Sequence, residues 1–256
     1  MPQFSANLGF LWTDRPLPDA IRDAKAAGFA AVECHWPYDT PPDAVRAALA
    51  ETGLPMLGLN TRRGDVGAGD NGLAALPGRE SEARDGIDEA VAYARQISAG
   101  AVHVMAGFAG GAEAERTFLD NLAYACNAAA PHDITILIEP LNRHDAPGYF
   151  LKTTHQAAQI VAQINAANLA LMFDCYHVGR TEGDILTRLE ALLPIIGHIQ
   201  FAAVPDRGPP DQGELSYPAI FAGIAALGWT RPLGAEYRPG GDTDASLGWM
   251  TDLSAG

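Results

Sequence analysis

The chain has 256 residues, of which 48% are hydrophobic and 19% are charged, a composition that excludes an intrinsically disordered protein. Its 17 basic and 31 acidic side chains give a formal net charge of −14, which disfavours nucleic acids and anionic membranes as partners. A chain of this length can bury a large core and lies within the size range of a single α/β barrel.

Short apolar segments alternate with longer amphipathic segments along the whole chain. In chain order, the predicted strands are residues 4–12, 30–36, 55–61, 101–106, 134–140, 169–175, 196–202 and 232–237. The predicted helices are residues 18–27, 42–52, 80–98, 112–129, 154–165, 184–193, 217–227 and 243–253. Strands that are apolar throughout are typical of a parallel sheet with both faces buried. The eight strand–helix pairs therefore predict one domain, residues 1–256, with an α/β fold of the (β/α)8 TIM-barrel class. A doubly wound open sheet is the alternative.

A long loop rich in glycine, aspartate and asparagine lies between the third strand and the third helix, at residues 62–78. It contains the pattern G-x-G-x-x-G at Gly67, Gly69 and Gly72, which in a dinucleotide-binding protein follows a strand and opens a helix. Neither context is present here, so we interpret the segment as a flexible lid over the barrel mouth.

The cysteines and the N-terminal residues indicate the cellular setting. There are three cysteines and no C-x-x-C spacing, which argues against a disulfide framework or a zinc ribbon. The first residues lack the basic and apolar regions of a signal peptide, and no apolar run is long enough to span a bilayer. We therefore expect a cytoplasmic protein with a small-molecule partner, and a homo-oligomer is compatible with the sequence.

Polar residues at the strand ends indicate where the chemistry occurs, because the active site of a parallel barrel lies where its strands end. The fifth to eighth predicted strands end in Glu139, Asp174, Gln200 and Glu236. Three carboxylates at one barrel mouth repel each other, and a buried carboxylate needs a partner. A divalent cation satisfies both requirements, and these oxygen ligands favour Mg²⁺ or Mn²⁺ over zinc. The alternative is a set of ordinary salt bridges or helix caps.

Further polar residues lie close to the same strand ends. His177 is a candidate metal ligand, a substrate hydrogen-bond donor or a structural histidine. Arg207 follows the seventh strand, and its guanidinium is a candidate partner for a substrate carboxylate. The alternative is a solvated loop arginine. The sequence indicates a role in the site less strongly for His35, His103 and His198, and we expect His198 to be structural.

Eight short segments match the pattern of one known family. They are residues 6–12 (ANLGFLW), 75–80 (ALPGRE), 138–142 (IEPLN), 147–151 (PGYFL), 174–177 (DCYH), 197–200 (GHIQ), 213–215 (GEL) and 236–239 (EYRP). Because these segments are spread over nearly the whole length, the chain resembles the hydroxypyruvate isomerase family of the xylose-isomerase-like TIM barrels.

The resemblance implies a metal-dependent isomerase that interconverts hydroxypyruvate and 2-hydroxy-3-oxopropanoate (tartronate semialdehyde) through an enediolate. It implies that Mg²⁺ or Mn²⁺ is held by the four strand-end residues Glu139, Asp174, Gln200 and Glu236. It also implies that Glu139 and Glu236 form the catalytic acid–base pair and that His177 and Arg207 bind the substrate.

One difference from the family pattern affects the expected substrate. The family commonly has Pro-Gly-Arg where this chain has Pro205, Asp206 and Arg207. With aspartate in place of glycine, this segment resembles that of relatives that act on four-carbon 2-oxo acids. A 2-oxo-tetronate isomerase is therefore an alternative.

A ketose 3-epimerase is another alternative function, although such relatives tend to have histidine where this chain has Gln200. An apurinic endonuclease is a remote alternative that the net charge of −14 disfavours, and a barrel that only binds a ligand is a further one.

Overall fold

The computed structural model of the chain describes residues 2–252. Within them lie eight strands, and each pair of hydrogen-bonded neighbours is parallel. The strands are β1 (Phe4–Asn7), β2 (Ala31–Glu33), β3 (Leu59–Asn60), β4 (Ala101–His103), β5 (Thr135–Ile138), β6 (Leu169–Asp174), β7 (Ile196–Phe201) and β8 (Leu233–Ala235). Their order around the sheet is β2-β1-β8-β7-β6-β5-β4-β3.

The first and last strands of this order, β2 and β3, meet through the residues that precede β3. Val32 and Met56 form a parallel bridge. The Val32 N–H donates to the carbonyl of Pro55 at 3.0 Å, and the Val32 carbonyl accepts from the Leu57 N–H at 2.7 Å. The sheet therefore closes almost completely, which confirms the predicted (β/α)8 TIM barrel.

Helices surround the barrel and alternate with its strands. They are α1 (Leu17–Ala26), α2 (Pro42–Thr52), α3 (Glu80–Ile97), α4 (Gly111–Ala129), α5 (Thr154–Ile164), α6 (Cys175–Thr181), α7 (Ile185–Leu192), α8 (Tyr217–Ala226) and α9 (Trp249–Asp252). Two helix ends show typical capping: the Thr153 hydroxyl accepts the Gln156 N–H at 3.1 Å before α5, and Gly53 ends α2 with a φ of +69°. None of the helices in residues 2–252 is both long and apolar enough to cross a bilayer.

Five strands, β2, β3, β4, β5 and β8, are shorter than predicted, and three further differences concern the first strand, α6 and the last helix. The first strand ends at Asn7, because the Leu11 N–H turns back to the Asn7 carbonyl at 2.9 Å and Trp12 has a φ of +51°. The patterns do not predict α6, which starts directly after β6 because the Asp174 carboxylate accepts the Tyr176 N–H at 2.8 Å. The predicted helix at 243–253 is a short 3-10 turn followed by α9, and residue 253 lies outside the described residues.

An aromatic cluster fixes the barrel wall on the side of β1 and β7. The rings of Phe4 and Trp249 lie 5.0 Å apart, as do those of Phe201 and Phe221. These contacts pack α8 and α9 against the two strands. Side chains alternate between the faces of a strand, so the outward position of Phe201 directs its neighbour Gln200 to the barrel interior.

The loop at residues 62–78 is attached to the end of β4. The N–H groups of Ala74 and Ala75 donate to the carbonyls of Met105 at 3.2 Å and Ala106 at 2.8 Å. A Cβ at Gly72 would lie 2.6 Å from the Met105 carbonyl oxygen, and Gly72 has a φ of +108°. This glycine thus permits a close backbone approach. The lid motion of the loop stays a prediction.

Candidate active site

The four predicted metal ligands lie at the C-terminal ends of successive strands. Glu139 follows β5, Asp174 ends β6, Gln200 lies in β7 and Glu236 follows β8. Asp174 and Gln200 are direct partners in the register of β6 and β7. All four side chains are buried. The barrel therefore brings these residues to one end, as the strand-end rule predicts.

His177 and Arg207 contact the same carboxylates. His177 Nε2 lies 3.7 Å from Glu139 Oε1 and 3.6 Å from Asp174 Oδ2. Arg207 Nη2 lies 3.5 Å from Asp174 Oδ2 and donates to Glu236 Oε2. Potential ligand atoms of Glu139, Asp174 and His177 all lie within 4.8 Å of one another. The predicted substrate-binding residues thus touch the predicted metal ligands.

Three buried oxygen atoms in this group accept no hydrogen bond from residues 2–252. They are Glu139 Oε1, Asp174 Oδ2 and Gln200 Oε1. An unpaired polar atom in a protein interior costs about 1–3 kcal/mol, and more when it is charged. A hard divalent cation takes oxygen ligands of this kind and would offset that cost. The residues present therefore fit a divalent ion, because three of the four predicted ligands offer a free oxygen.

Burial and charge give the carboxylates different pKa values. Burial raises the pKa of Glu139 well above its usual value, and the charges of Glu236 and Asp174 add to this effect. Burial also raises the pKa of Asp174 to about 7, although the charge of Arg207 opposes the change. Burial acts on Glu236 in the same direction, but Arg207 and the hydrogen bond from His35 outweigh it and lower the pKa of Glu236 to about 2. The two glutamates therefore differ in protonation, which is typical of an acid–base pair.

The hydrogen bonds of His177 identify which ring nitrogen carries the proton. Its Nδ1 accepts from the backbone N–H of Asn142 at 3.0 Å and from Asn142 Nδ2 at 2.8 Å. The Asn142 amide cannot be reversed, because its Oδ1 accepts from the N–H groups of residues 144 and 145. Burial, assisted by Arg207, lowers the pKa of His177 to about 3, so the ring is neutral. Because Nδ1 accepts two hydrogen bonds, we assign the proton of the neutral ring to Nε2, which faces Glu139 and Asp174 and also lies 3.3 Å from Arg207 Nη1. This assignment favours a hydrogen-bond donor over a metal ligand.

Arg207 has a fixed position at the site. Its guanidinium carbon lies 4.8 Å from the ring centre of Phe10 and 4.9 Å from that of Tyr176. Burial disfavours its charge, but Glu236 and Asp174 outweigh this effect and raise the pKa of Arg207 further. The side chain is 11% exposed, so the alternative of a solvated loop arginine is wrong. The site thus contains one permanent positive charge.

Residues in or just after the first four strands also contact the site, although the sequence indicates a role for them only weakly or not at all. Asn7 Nδ2 and His35 Nε2 lie 3.0 and 2.9 Å from Glu236 Oε1. His103 Nδ1 lies 3.7 Å from Glu139 Oε2, and neither ring nitrogen of His103 has a hydrogen-bond partner in the described part of the chain. Burial lowers the pKa of His103 to about 3. His35 and His103 lie just after and at the ends of β2 and β4, where the strand-end rule would select them. Asn7 lies inside the predicted first strand, residues 4–12, so the rule misses it.

Comparisons with known proteins agree with the barrel fold. The model of the xylose isomerase-like TIM barrel family matches residues 21–253. The chain is 44% identical to the 2-oxo-tetronate isomerase of Cupriavidus necator over 98% of each chain. It is 40% identical to the putative hydroxypyruvate isomerase of Homo sapiens, over 97% of this chain and 94% of the relative. It is 36% identical to the hydroxypyruvate isomerase of Escherichia coli, over 98% of each chain.

Solved structures show the same architecture. A crystal structure described as AP endonuclease, family 2, from Brucella melitensis is 38% identical and superposes with a TM-score of 0.94, over 98% of this chain and 99% of that one. The 3-keto-D-glucoside 4-epimerase of Escherichia coli, at 18% identity, has a TM-score of 0.84 over the full length of both chains and shows the shared fold. The chain therefore belongs to the xylose isomerase-like TIM barrel family and, within it, to the isomerases related to hydroxypyruvate isomerase and 2-oxo-tetronate isomerase.

Proposed function

We propose that the chain is a divalent-metal-dependent isomerase of short 2-oxo acids that interconverts hydroxypyruvate and 2-hydroxy-3-oxopropanoate. The observation that carries the proposal is the set of unpaired buried oxygens of Glu139, Asp174 and Gln200 beside the cation of Arg207. They lie at the end of the barrel where the loops that follow the strands bind substrates. Relatives named for hydroxypyruvate and 2-oxo-tetronate support the same class of substrate.

The proposed ion is Mg²⁺ or Mn²⁺, and the residues that would hold it are Glu139, Asp174, Gln200 and Glu236. Carboxylate and amide oxygens are the ligands that these hard cations prefer. When bound, such an ion polarises the substrate carbonyl and stabilises the negative charge of an enediolate. His177 remains available to the substrate, because its Nε2 carries a proton.

The isomerisation moves one proton from C3 to C2 of hydroxypyruvate and another from the C3 hydroxyl to the C2 oxygen. In this proposal Glu139 removes the C3 proton, because its raised pKa makes it the stronger base once it is ionised. Glu236 is ionised at the start, so it takes the proton of the C3 hydroxyl and gives a proton to C2, while Glu139 passes the proton that it removed to the C2 oxygen, directly or through solvent. His177 Nε2–H donates to a substrate oxygen, and Arg207 pairs with the substrate carboxylate.

A four-carbon substrate, 2-oxo-tetronate, is the second candidate. The relative from Cupriavidus necator, which carries that name, is 44% identical to this chain, against 36% for the hydroxypyruvate isomerase of Escherichia coli. Asp206 precedes Arg207, as in the relatives that act on four-carbon 2-oxo acids and that this segment resembles. The extra hydroxymethyl carbon would extend from C3, so both acids present the same carboxylate and carbonyl to the site.

The net charge of the chain argues against a nucleic-acid substrate, although one similar solved structure is described as an AP endonuclease. A formal charge of −14 repels a phosphate backbone unless basic residues cluster at the site. Here three of the four predicted ligands are themselves carboxylates, and Arg207 is the basic residue that forms salt bridges with two of them in the described chain.

Proton NMR in D2O tests the proposal. Hydroxypyruvate is incubated with the Mg²⁺- or Mn²⁺-loaded protein, before and after addition of EDTA. Deuterium exchange at C3 with formation of 2-hydroxy-3-oxopropanoate, both abolished by EDTA, is the expected result. Exchange that persists in EDTA contradicts the metal dependence. If only 2-oxo-tetronate reacts, the second candidate replaces the first, and if neither acid reacts the isomerase proposal fails.

A further inference from the structure

We propose that Glu33 is a positioning residue that orients the Gln200 amide, so that Gln200 presents its oxygen to the metal. The inference rests on the proposed metal dependence and concerns a residue outside the four ligands. Glu33 ends β2 and its side chain is buried. No role was assigned to it from its position in the sequence.

The Glu33 carboxylate contacts three polar side chains. Its Oε1 accepts from Gln200 Nε2 at 3.2 Å and from Asn7 Nδ2 at 3.3 Å, and its Oε2 contacts His198 Nε2. The Asn7 amide is fixed as well, because its Oδ1 accepts the Gly9 N–H at 2.9 Å. Glu33 thus forms the centre of a buried network beneath the proposed ligands.

The direction of the Gln200 amide decides whether it can bind a cation. One end of an amide is an oxygen that coordinates metals, and the other is an NH2 group that repels them. Because Glu33 accepts from Nε2, the atom left for the site is Oε1, which has no hydrogen-bond partner among residues 2–252. If the amide rotated by half a turn, its NH2 group would take the place of this oxygen on the side away from Glu33. Glu33 therefore keeps Gln200 in the orientation that suits an ion.

The neighbouring strand leaves room for this carboxylate. A Cβ at Gly234 in β8 would lie 2.5 Å from Glu33 Oε1, 2.8 Å from Gln200 Cγ and 2.9 Å from His198 Nε2. The backbone conformation of Gly234 does not itself require glycine, so the close approach of these side chains is the reason for it. The position of Glu33 is thus determined by β8 as well as by its own hydrogen bonds.

The test measures Mn²⁺ binding to the full chain by electron paramagnetic resonance, which counts free Mn²⁺ independently of catalysis. Glu33→Leu removes the acceptor for Gln200 and is expected to raise the Kd for Mn²⁺ about 10- to 100-fold. Glu33→Gln is the matched control, with a Kd close to that of the wild type. Its amide oxygen can still accept from Gln200, and His198 can accept from the new NH2 group in its other tautomer.

A second substitution separates orientation from general disruption. Gln200→Glu supplies an oxygen in either orientation, so adding it to Glu33→Leu is expected to recover Mn²⁺ affinity about tenfold. In the presence of Glu33 the same substitution places two carboxylates at the 3.2 Å contact and is expected to weaken binding. Opposite effects of Gln200→Glu in the two backgrounds support the proposal, and the same effect in both overturns it.

Two further outcomes are decisive. An unchanged Kd in a folded Glu33→Leu variant refutes the role of Glu33, whereas a wild type that binds no Mn²⁺ refutes the proposed metal dependence instead. Circular dichroism establishes folding. If Glu33→Leu does not fold, Gly234→Ala displaces the carboxylate by contact and is expected to raise the Kd about tenfold, and an unchanged Kd in that variant overturns the inference.

Discussion

Replacement of Asp174 by asparagine is expected to stabilise the metal-free chain, and to do so more strongly as the pH rises from 5 to 8. The Asp174 side chain is fully buried, and its Oδ1 accepts the Tyr176 N–H at 2.8 Å, a bond that an amide oxygen retains. Its Oδ2 accepts no hydrogen bond within residues 2–252. Asp174→Asn therefore removes a buried charge and preserves the cap of α6.

The pKa of Asp174 gives the size and the sign of this effect. The pKa is about 7 in the folded chain, against about 3.9 for an unfolded aspartate. Burial raises the pKa of Asp174 in the folded state. Its contribution to the free energy of unfolding is therefore complete below about pH 4, where the carboxyl is protonated in both states, and is lost as the pH rises through 7. Between the two pKa values the free energy of unfolding falls by about 1.4 kcal/mol per pH unit, and the total loss approaches 4 kcal/mol at pH 8. We expect the variant to be more stable than the wild type by about 2–4 kcal/mol at pH 8, which raises Tm by roughly 5–15 °C.

Thermal unfolding in EDTA, followed by circular dichroism at several pH values, measures this difference. Between pH 5 and pH 8 the advantage of the variant is expected to grow by about 2–3 kcal/mol. Saturating Mn²⁺ provides the control, because a ligand at 100 times its Kd stabilises the wild type by about 2.7 kcal/mol and the variant by less. A variant that is less stable than the wild type in EDTA at pH 8, or a difference that does not change with pH, would refute the reasoning.

Three further substitutions test other parts of the structure. Glu139→Gln is expected to abolish deuterium exchange at C3 of hydroxypyruvate in NMR and, because burial raises the pKa of Glu139 as it does that of Asp174, to raise the Tm of the metal-free chain at pH 8. Normal exchange would contradict the role of Glu139. Arg207→Lys cannot form a bidentate pair with a carboxylate and is expected to raise KM about 10- to 100-fold, so an unchanged KM excludes this contact. Gly72→Ala places a Cβ 2.6 Å from the Met105 carbonyl at a positive φ, and we expect a loss of about 2 kcal/mol or more in urea unfolding. Gly86→Ala, in α3 with nothing near its Cβ, is the matched control and is expected to be neutral or stabilising.

The sequence predicts the alternation of strands and helices well, because buried strands and amphipathic helices differ in their periodicity. It predicts the end of the first strand poorly. Leu8, Leu11 and Trp12 are all buried, so the apolar run continues although the backbone turns after Asn7. Burial alone does not distinguish a strand from a tightly packed turn. The start of α6 is missed for a different reason, since Asp174 is both the end of a strand and a helix cap.

The sequence also predicts which residues meet at the barrel mouth, because the C-terminal ends of parallel strands converge whatever the loops do. It does not predict the contacts that connect the strands across the barrel. Asn7 reaches Glu236 only because closure of the sheet places β1 beside β8, with Ala6 opposite Ala235. The tautomer of His177 likewise depends on a backbone N–H that belongs to a loop.

Charge as well as geometry makes this site suitable for a divalent ion. Four buried carboxylates, those of Glu33, Glu139, Asp174 and Glu236, share one guanidinium, that of Arg207, within the described chain. If all were ionised, the interior would hold an excess of three negative charges, which is costly in a medium of low polarity. Because the pKa values of Glu139 and Asp174 are raised, protons on these carboxylates balance part of this excess in the metal-free chain. The two positive charges of the proposed ion would replace those protons, and both carboxylates would then be available, one as a ligand and one as a ligand and base. Arg207 keeps Glu236 ionised in the metal-free chain, whereas Glu139 would give up its proton only when the ion is bound.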